Sequence, residues 1–108
     1  MPGRASRNKG ARFERLIVDL LRSYALDAYR IPLSGASRGF KSDVELRLGS
    51  QKLTLEAKSR KSGFTFLYRA LGDNDALCVK VDRDDPLIVM PLRRFACLMS
   101  ELKAGEPA

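Results

Sequence analysis

The sequence predicts an α/β domain in which a mixed β-sheet is flanked by α-helices. Three observations carry that prediction. Apolar residues recur at helical spacing near the N-terminus, two alternating runs flank a Gly-Ser pair in the middle, and a further helical stripe follows a proline near the end.

The first element is a helix from about Ala11 to Ala25, where Phe13, Leu16, Ile17, Leu20, Leu21 and Tyr24 form an amphipathic stripe. Residues 1–8 ahead of it are basic and polar and read as a flexible N-terminal arm. Residues 9–104 read as one domain, because a chain of 108 residues suffices for a single core and not for two. Ala28 to Ile31 is a short strand candidate, and Pro32 to Ser42, rich in Gly and Ser, reads as a loop. Next come the alternating runs. Val44, Leu46 and Leu48 lie on one face, with Asp43, Glu45 and Arg47 on the other. Lys52 to Lys58 alternates likewise around Leu53, Leu55 and Ala57, and Gly49-Ser50 between the runs suits a two-residue hairpin turn. Phe64 to Leu71 is apolar and fits a short helix. Ala76 to Val81 and Leu87 to Met90 read as strands around a turn at Asp82 to Pro86. Pro91 opens a last helix with a stripe of Leu92, Phe95, Met99 and Leu102, and Gly105 lies near its end.

Composition narrows the function classes. At 44% hydrophobic and 31% charged residues the chain reads as globular, and no apolar run is long enough to cross a bilayer. The basic, polar start of the chain has no apolar core of the kind a signal peptide needs. Cys78 and Cys97 lie in apolar stretches without metal-ligand spacing, so they read as buried thiols in a reducing, cytoplasmic setting. With no histidine, the commonest general base and zinc ligand are missing, and catalysis must use carboxylates, lysine, hydroxyls or a hard cation. The net charge is +7, with basic clusters at Arg4, Arg7, Lys9, Arg12 and Arg15 and at Lys58, Arg60 and Lys61. Such a field favours a polyanion, nucleic acid above all, over an anionic membrane. A basic surface that serves solubility is the plainer alternative.

The hairpin can be pushed to a geometric expectation. A two-residue turn pairs Leu48 with Gln51, Leu46 with Leu53 and Val44 with Leu55, which sets Asp43 opposite Glu56. Facing side chains in such a pair have Cβ atoms about 4.5–5.5 Å apart. Two carboxylates at roughly 5 Å repel by about 3 kcal/mol at an effective dielectric of about 20. A hard divalent cation converts that repulsion into a site. Lys58 shares the face of Glu56 and can point at the same ligand. Glu14, at the edge of the first helix's apolar stripe, faces toward the sheet. A four-residue turn would instead set Glu45 opposite Glu56, and a plain solvated charged face is the structural alternative to a site.

Asp43, twelve intervening residues and Glu56-Ala57-Lys58 resemble the PD-(D/E)XK nuclease motif, with Ser42 where that pattern often has proline. Taken with Lys9-Gly10, Phe13-Glu14 and Arg30-Ile31-Pro32-Leu33-Ser34-Gly35-Ala36, the order and spacing resemble the archaeal-type Holliday junction resolvases from about Lys9 to Met99. Phe64 to Asp75 is shorter and less alike. The resemblance implies a restriction-endonuclease-like fold, a homodimer, and Mg²⁺-dependent cleavage of four-way DNA junctions, with Mn²⁺ able to substitute. It implies that Asp43 and Glu56 ligate the metal and that Glu14 completes the acidic site directly or through water. Lys58 would orient the attacking water or stabilise charge on the scissile phosphate, and Ser34 would contact the site or the DNA. Ser34-Gly35 is otherwise a flexible turn. Paired nicks with 5′-phosphate and 3′-hydroxyl ends would need two chains about a two-fold axis.

Phe64, Phe66, Leu67 and Tyr68 are candidate dimer surface, or alternatively a cap on the core. Arg4, Arg7, Lys9, Arg38, Lys41, Arg60 and Lys61 are candidate DNA-backbone contacts, which position DNA without reading its sequence. Three further readings stand beside the resolvase. They are a nuclease of the same fold acting on other branched, single-stranded or duplex DNA, a non-catalytic basic DNA-binding module, and a metal-free protein-interaction domain.

Overall fold

The computed structural model describes residues 2–32 and 43–105, with the backbone alone for residues 2–9. Its first helix, α1 (Pro2–Ser23), starts well before the apolar stripe. The basic segment expected as an arm is therefore helical backbone continuous with α1. Apolar periodicity marks where a helix is buried, whereas Ala5, Arg4, Arg7 and Lys9 are good helix formers that need no burial, and Pro2 suits the first turn.

α1 stops through a paired C-terminal cap. The Leu26 N–H donates to the Leu21 carbonyl at 3.2 Å and the Ala25 N–H to the Arg22 carbonyl at 2.9 Å, while Ala25 takes a left-handed φ of 62°. This cap turns the chain into β1 (Asp27–Arg30) and drops Leu26 into the core beside Leu21.

β1, β2 (Val44–Leu48) and β3 (Gln51–Leu55) form an antiparallel sheet in that spatial order. The hairpin register is the one a two-residue turn requires: Leu48↔Gln51, Leu46↔Leu53 and Val44↔Leu55. Gly49, the first turn residue, has φ 58°, a conformation that costs a glycine nothing. Glu45 accordingly faces Thr54, and the four-residue-turn alternative falls away.

The core lies between α1 and this sheet. Ile17, Val18 and Leu21 of α1 meet Ala28, Val44 and Leu46, with Phe13, Leu48 and Leu55 around them. Leu21, Val44 and Leu46 are fully enclosed, and burying side chains of this size stabilises by roughly 1.5–3 kcal/mol each.

The rest of the chain is α2 (Thr65–Leu71), β4 (Leu77–Val79), β5 (Leu87–Val89) and α3 (Leu92–Ala104). α3 packs on α1 through Ala96, whose small side chain permits close approach. Leu102, expected in its buried stripe, is exposed, and Pro91 occupies the N-cap.

Two further expectations are corrected here. β4 and β5 pair antiparallel with each other in a second, two-stranded sheet, so among the described residues there are two small antiparallel sheets and no single mixed one. An apolar three-residue strand specifies burial poorly, because its local pattern does not say which neighbour covers it. For the same reason Cys78 on β4 is exposed; Cys97 on α3 is half-buried, and both were expected inside. The architecture is α/β, and no described helix is long and apolar enough to cross a membrane.

Candidate functional site

The acids singled out by sequence gather at one end of the three-stranded sheet. Asp43 precedes β2, the central strand, and its backbone is held from both sides. Its carbonyl accepts from the Ile31 N–H at 2.9 Å, and its N–H donates to the Leu55 carbonyl at 3.0 Å. The second bond is one residue out of step with the β2–β3 ladder, whose last pair is Val44↔Leu55. Continued in step, the ladder would pair Asp43 with Glu56, as the sequence predicts. The described ladder ends at Val44↔Leu55 and Asp43 bonds to Leu55 instead, so through this slip the expected facing pair is not formed.

Beyond the slip, Asp43 Oδ2 accepts the Ala57 N–H at 2.8 Å. Two backbone hydrogen bonds and one to its carboxylate thus fix the half-buried Asp43 beside Ala57. Glu56 itself is 54% exposed and lies 3.7 Å from the Lys58 ammonium. A pair so open to solvent contributes little to stability and leaves both side chains free to take other partners.

Glu14 reaches the same end of the sheet from α1. It accepts a hydrogen bond from Arg30 Nε at 3.1 Å, and Arg30 pairs with Val44, next to Asp43. The expectation that Glu14 looks toward the sheet is met, with an arginine as its immediate partner. Arg30 is a site-edge residue that sequence reasoning did not single out. Its place follows from the pairing of β1 with β2, a long-range contact that the local sequence pattern does not contain.

The neighbouring acid, Glu45, behaves differently. It is 7% exposed on the sheet face opposite α1, paired with Arg47 at 3.2 Å and Lys52 at 3.6 Å. Arg47 also lies over the Tyr29 ring, 5.3 Å from its centroid. This cluster is satisfied within itself and serves the sheet.

A carboxylate donor set suits Mg²⁺ or Mn²⁺. Asp43 is held at the sheet end where Glu14 and Glu56 also lie. The donor chemistry fits a hard cation. Each of those two glutamates holds a cationic side chain in this structure, and among the described residues no three acidic side chains converge. Ser34, Arg38 and Lys41 lie outside the described residues, as do the side chains of Arg4, Arg7 and Lys9. Arg60 and Lys61 are exposed just past Lys58 in sequence. No family model, curated protein or solved structure matches the chain.

Proposed function

We propose that the chain is a metal-dependent DNA endonuclease of restriction-endonuclease-like fold, acting as a homodimer on branched DNA, four-way junctions foremost. One observation carries the reading. Asp43 is pinned by three hydrogen bonds at the point where β2 and β3 fall out of step, one of them from the Ala57 amide between Glu56 and Lys58 in sequence. A strand end with a solvated charged face has no need of such positioning. The +7 net charge supports a polyanionic substrate.

In this reading Asp43 and Glu56 hold Mg²⁺, and Glu14 completes the site directly or through water. The bound ion would supply Lewis acidity and an activated water. The chain's own groups do the rest. The Ala57 amide holds the Asp43 carboxylate in orientation. Lys58, released from Glu56, brings fixed positive charge to a phosphate that gathers negative charge as it is attacked. Arg60 and Lys61 hold the DNA backbone nearby. Phe66 and Tyr68, exposed on α2, support the dimer surface expected there, with Phe64 and Leu67 half-buried behind them.

A panel of four-way, flap, nicked and linear DNAs with Mg²⁺ tests the reading, with Glu56→Ala as control. Cutting of the junction alone is expected, dependent on the metal and lost in the variant. Equal cutting of plain duplex would defeat the junction preference, and no cutting of any DNA would defeat the enzyme.

The pairing of Glu14 with Arg30 and of Glu56 with Lys58 favours one other reading, a non-catalytic DNA-binding module whose acids only balance local charge. Under that reading Asp43→Asn leaves every measured DNA property unchanged.

A further inference from the structure

We propose that a groove on the outer face of α1, closed on one side by the start of α3, is a second binding site for nucleic-acid backbone, occupied by a different arm of a branched DNA from the one at the acidic sheet end. The inference rests on the nuclease reading and adds a surface to it.

The groove has a volume of about 650 Å³ and is lined by Arg12, Arg15, Leu16, Asp19 and Leu20 of α1, with Arg93 of α3 across from them. The α1 residues fall at i, i+3, i+4, i+7 and i+8, so they form one stripe of the helix. Glu14, Ile17, Val18 and Leu21 form the other stripe, which faces the sheet. The two stripes point away from each other across the helix. The groove is therefore separate from the acidic end, though it is built on the same rigid element.

Its chemistry suits a phosphate backbone. Three guanidinium groups meet one carboxylate, Asp19, and among the described residues Arg12, Arg15 and Arg93 have no ion-pair partner. Arginine presents a planar fork of donors that matches phosphate oxygens. Leu16, 55% exposed on the groove floor, offers an apolar surface against which a sugar face can pack. The groove is an open trough rather than an enclosed pocket, which suits a strand passing through. Contacts of this kind position nucleic acid without reading its bases.

Geometry links the groove to branched substrates. A straight duplex lying on the acidic sheet end cannot also bend round to the far side of a helix about 10–12 Å across. A second arm leaving a branch point at an angle can. Two backbone sites on opposite sides of α1 would thus let the chain hold a junction more tightly than a linear duplex.

The test uses the full chain carrying Asp43→Asn, so that binding is measured without cutting. Arg12→Ala, Arg15→Ala and Arg93→Ala are combined in that background, and equal melting temperatures confirm an intact fold. Binding of a fluorescent four-way junction and of a linear duplex is then measured over a range of salt concentrations. The junction is expected to lose about tenfold or more in affinity, with a salt slope shallower by about 2–3, while the duplex changes by less than about threefold. Equal losses on both DNAs, or no loss on either, would overturn the groove assignment. Displacement of a bound polyglutamate by these substitutions, with DNA binding untouched, would also overturn it by assigning the groove to an acidic protein segment. Mg²⁺-dependent cutting by the unaltered chain keeps the two ideas apart. If that chain cuts junctions and the triple variant still binds them fully, only the groove fails; if it neither binds nor cuts, both fail.

Discussion

The Ala57 amide donates to Asp43 Oδ2 across 2.8 Å, one step beyond the last in-register pair of the β2–β3 hairpin. This bond does two things at once. It closes the frayed end of the hairpin, and it orients a carboxylate that the proposed chemistry needs. Substitution separates the two. Asp43→Asn keeps an oxygen that can accept from Ala57 and removes the charge, so the melting temperature should hold while Mg²⁺-dependent cleavage falls by about 100-fold or more, near 2.7 kcal/mol of barrier. Asp43→Ala removes the acceptor too and should cost about 1 kcal/mol of stability in urea unfolding.

Ala25 sits at the left-handed position that ends α1, where a β-carbon is disfavoured by roughly 1–2 kcal/mol. Ala25→Gly should stabilise the chain by about 0.5–1 kcal/mol, part of the relief being offset by the greater freedom of glycine in the unfolded state. Chemical denaturation reads the difference directly, and a destabilised variant would contradict the cap.

Glu45 is enclosed, but its partners Arg47 and Lys52 are more than half exposed, so solvent screens both ion pairs. Glu45→Gln keeps an acceptor for Arg47 and should cost only about 0.5–1 kcal/mol. The cost should shrink in molar salt, where the Debye length falls to about 3 Å. DNA cleavage should be unaffected, which sets this acid apart from Asp43.

Cys78 is exposed on β4, whereas Cys97 is half-buried on α3. Titration of the native chain with a thiol reagent should show one fast and one slow phase. Cys78→Ser should remove the fast phase, and equal rates for both thiols would contradict the arrangement.

The sequence carried the first half of the fold well. The stripe on α1 and the turn at Gly49 settle the core and the hairpin register, because a buried face and a tight turn leave few alternatives. Periodicity could not see the start of α1, because the residues there carry no apolar stripe and only helix propensity marks them. Nor could it see that Leu77–Val79 and Leu87–Val89 would pair with each other, since three apolar residues do not name their neighbour. At the site, the pattern brought Asp43 and Glu56 to one end. The slip between them was not legible, because local alternation does not say where a strand ladder ends. The groove at Arg12, Arg15 and Arg93 needed the packing of α3 on α1, a long-range contact that no local pattern contains.

The β4–β5 pair has a consequence for handling and for stability. Two strands of three residues, backed by the seven residues of α2, cannot sustain themselves as the α1-backed sheet does. Their amides should exchange with deuterium well before those of Val44–Leu48. Leu87 and Ile88 point into solvent beside strand edges that no described residue pairs. Such edges are templates for adding another strand, so soluble yield on refolding should fall as concentration rises. A charged residue at Ile88 should recover it.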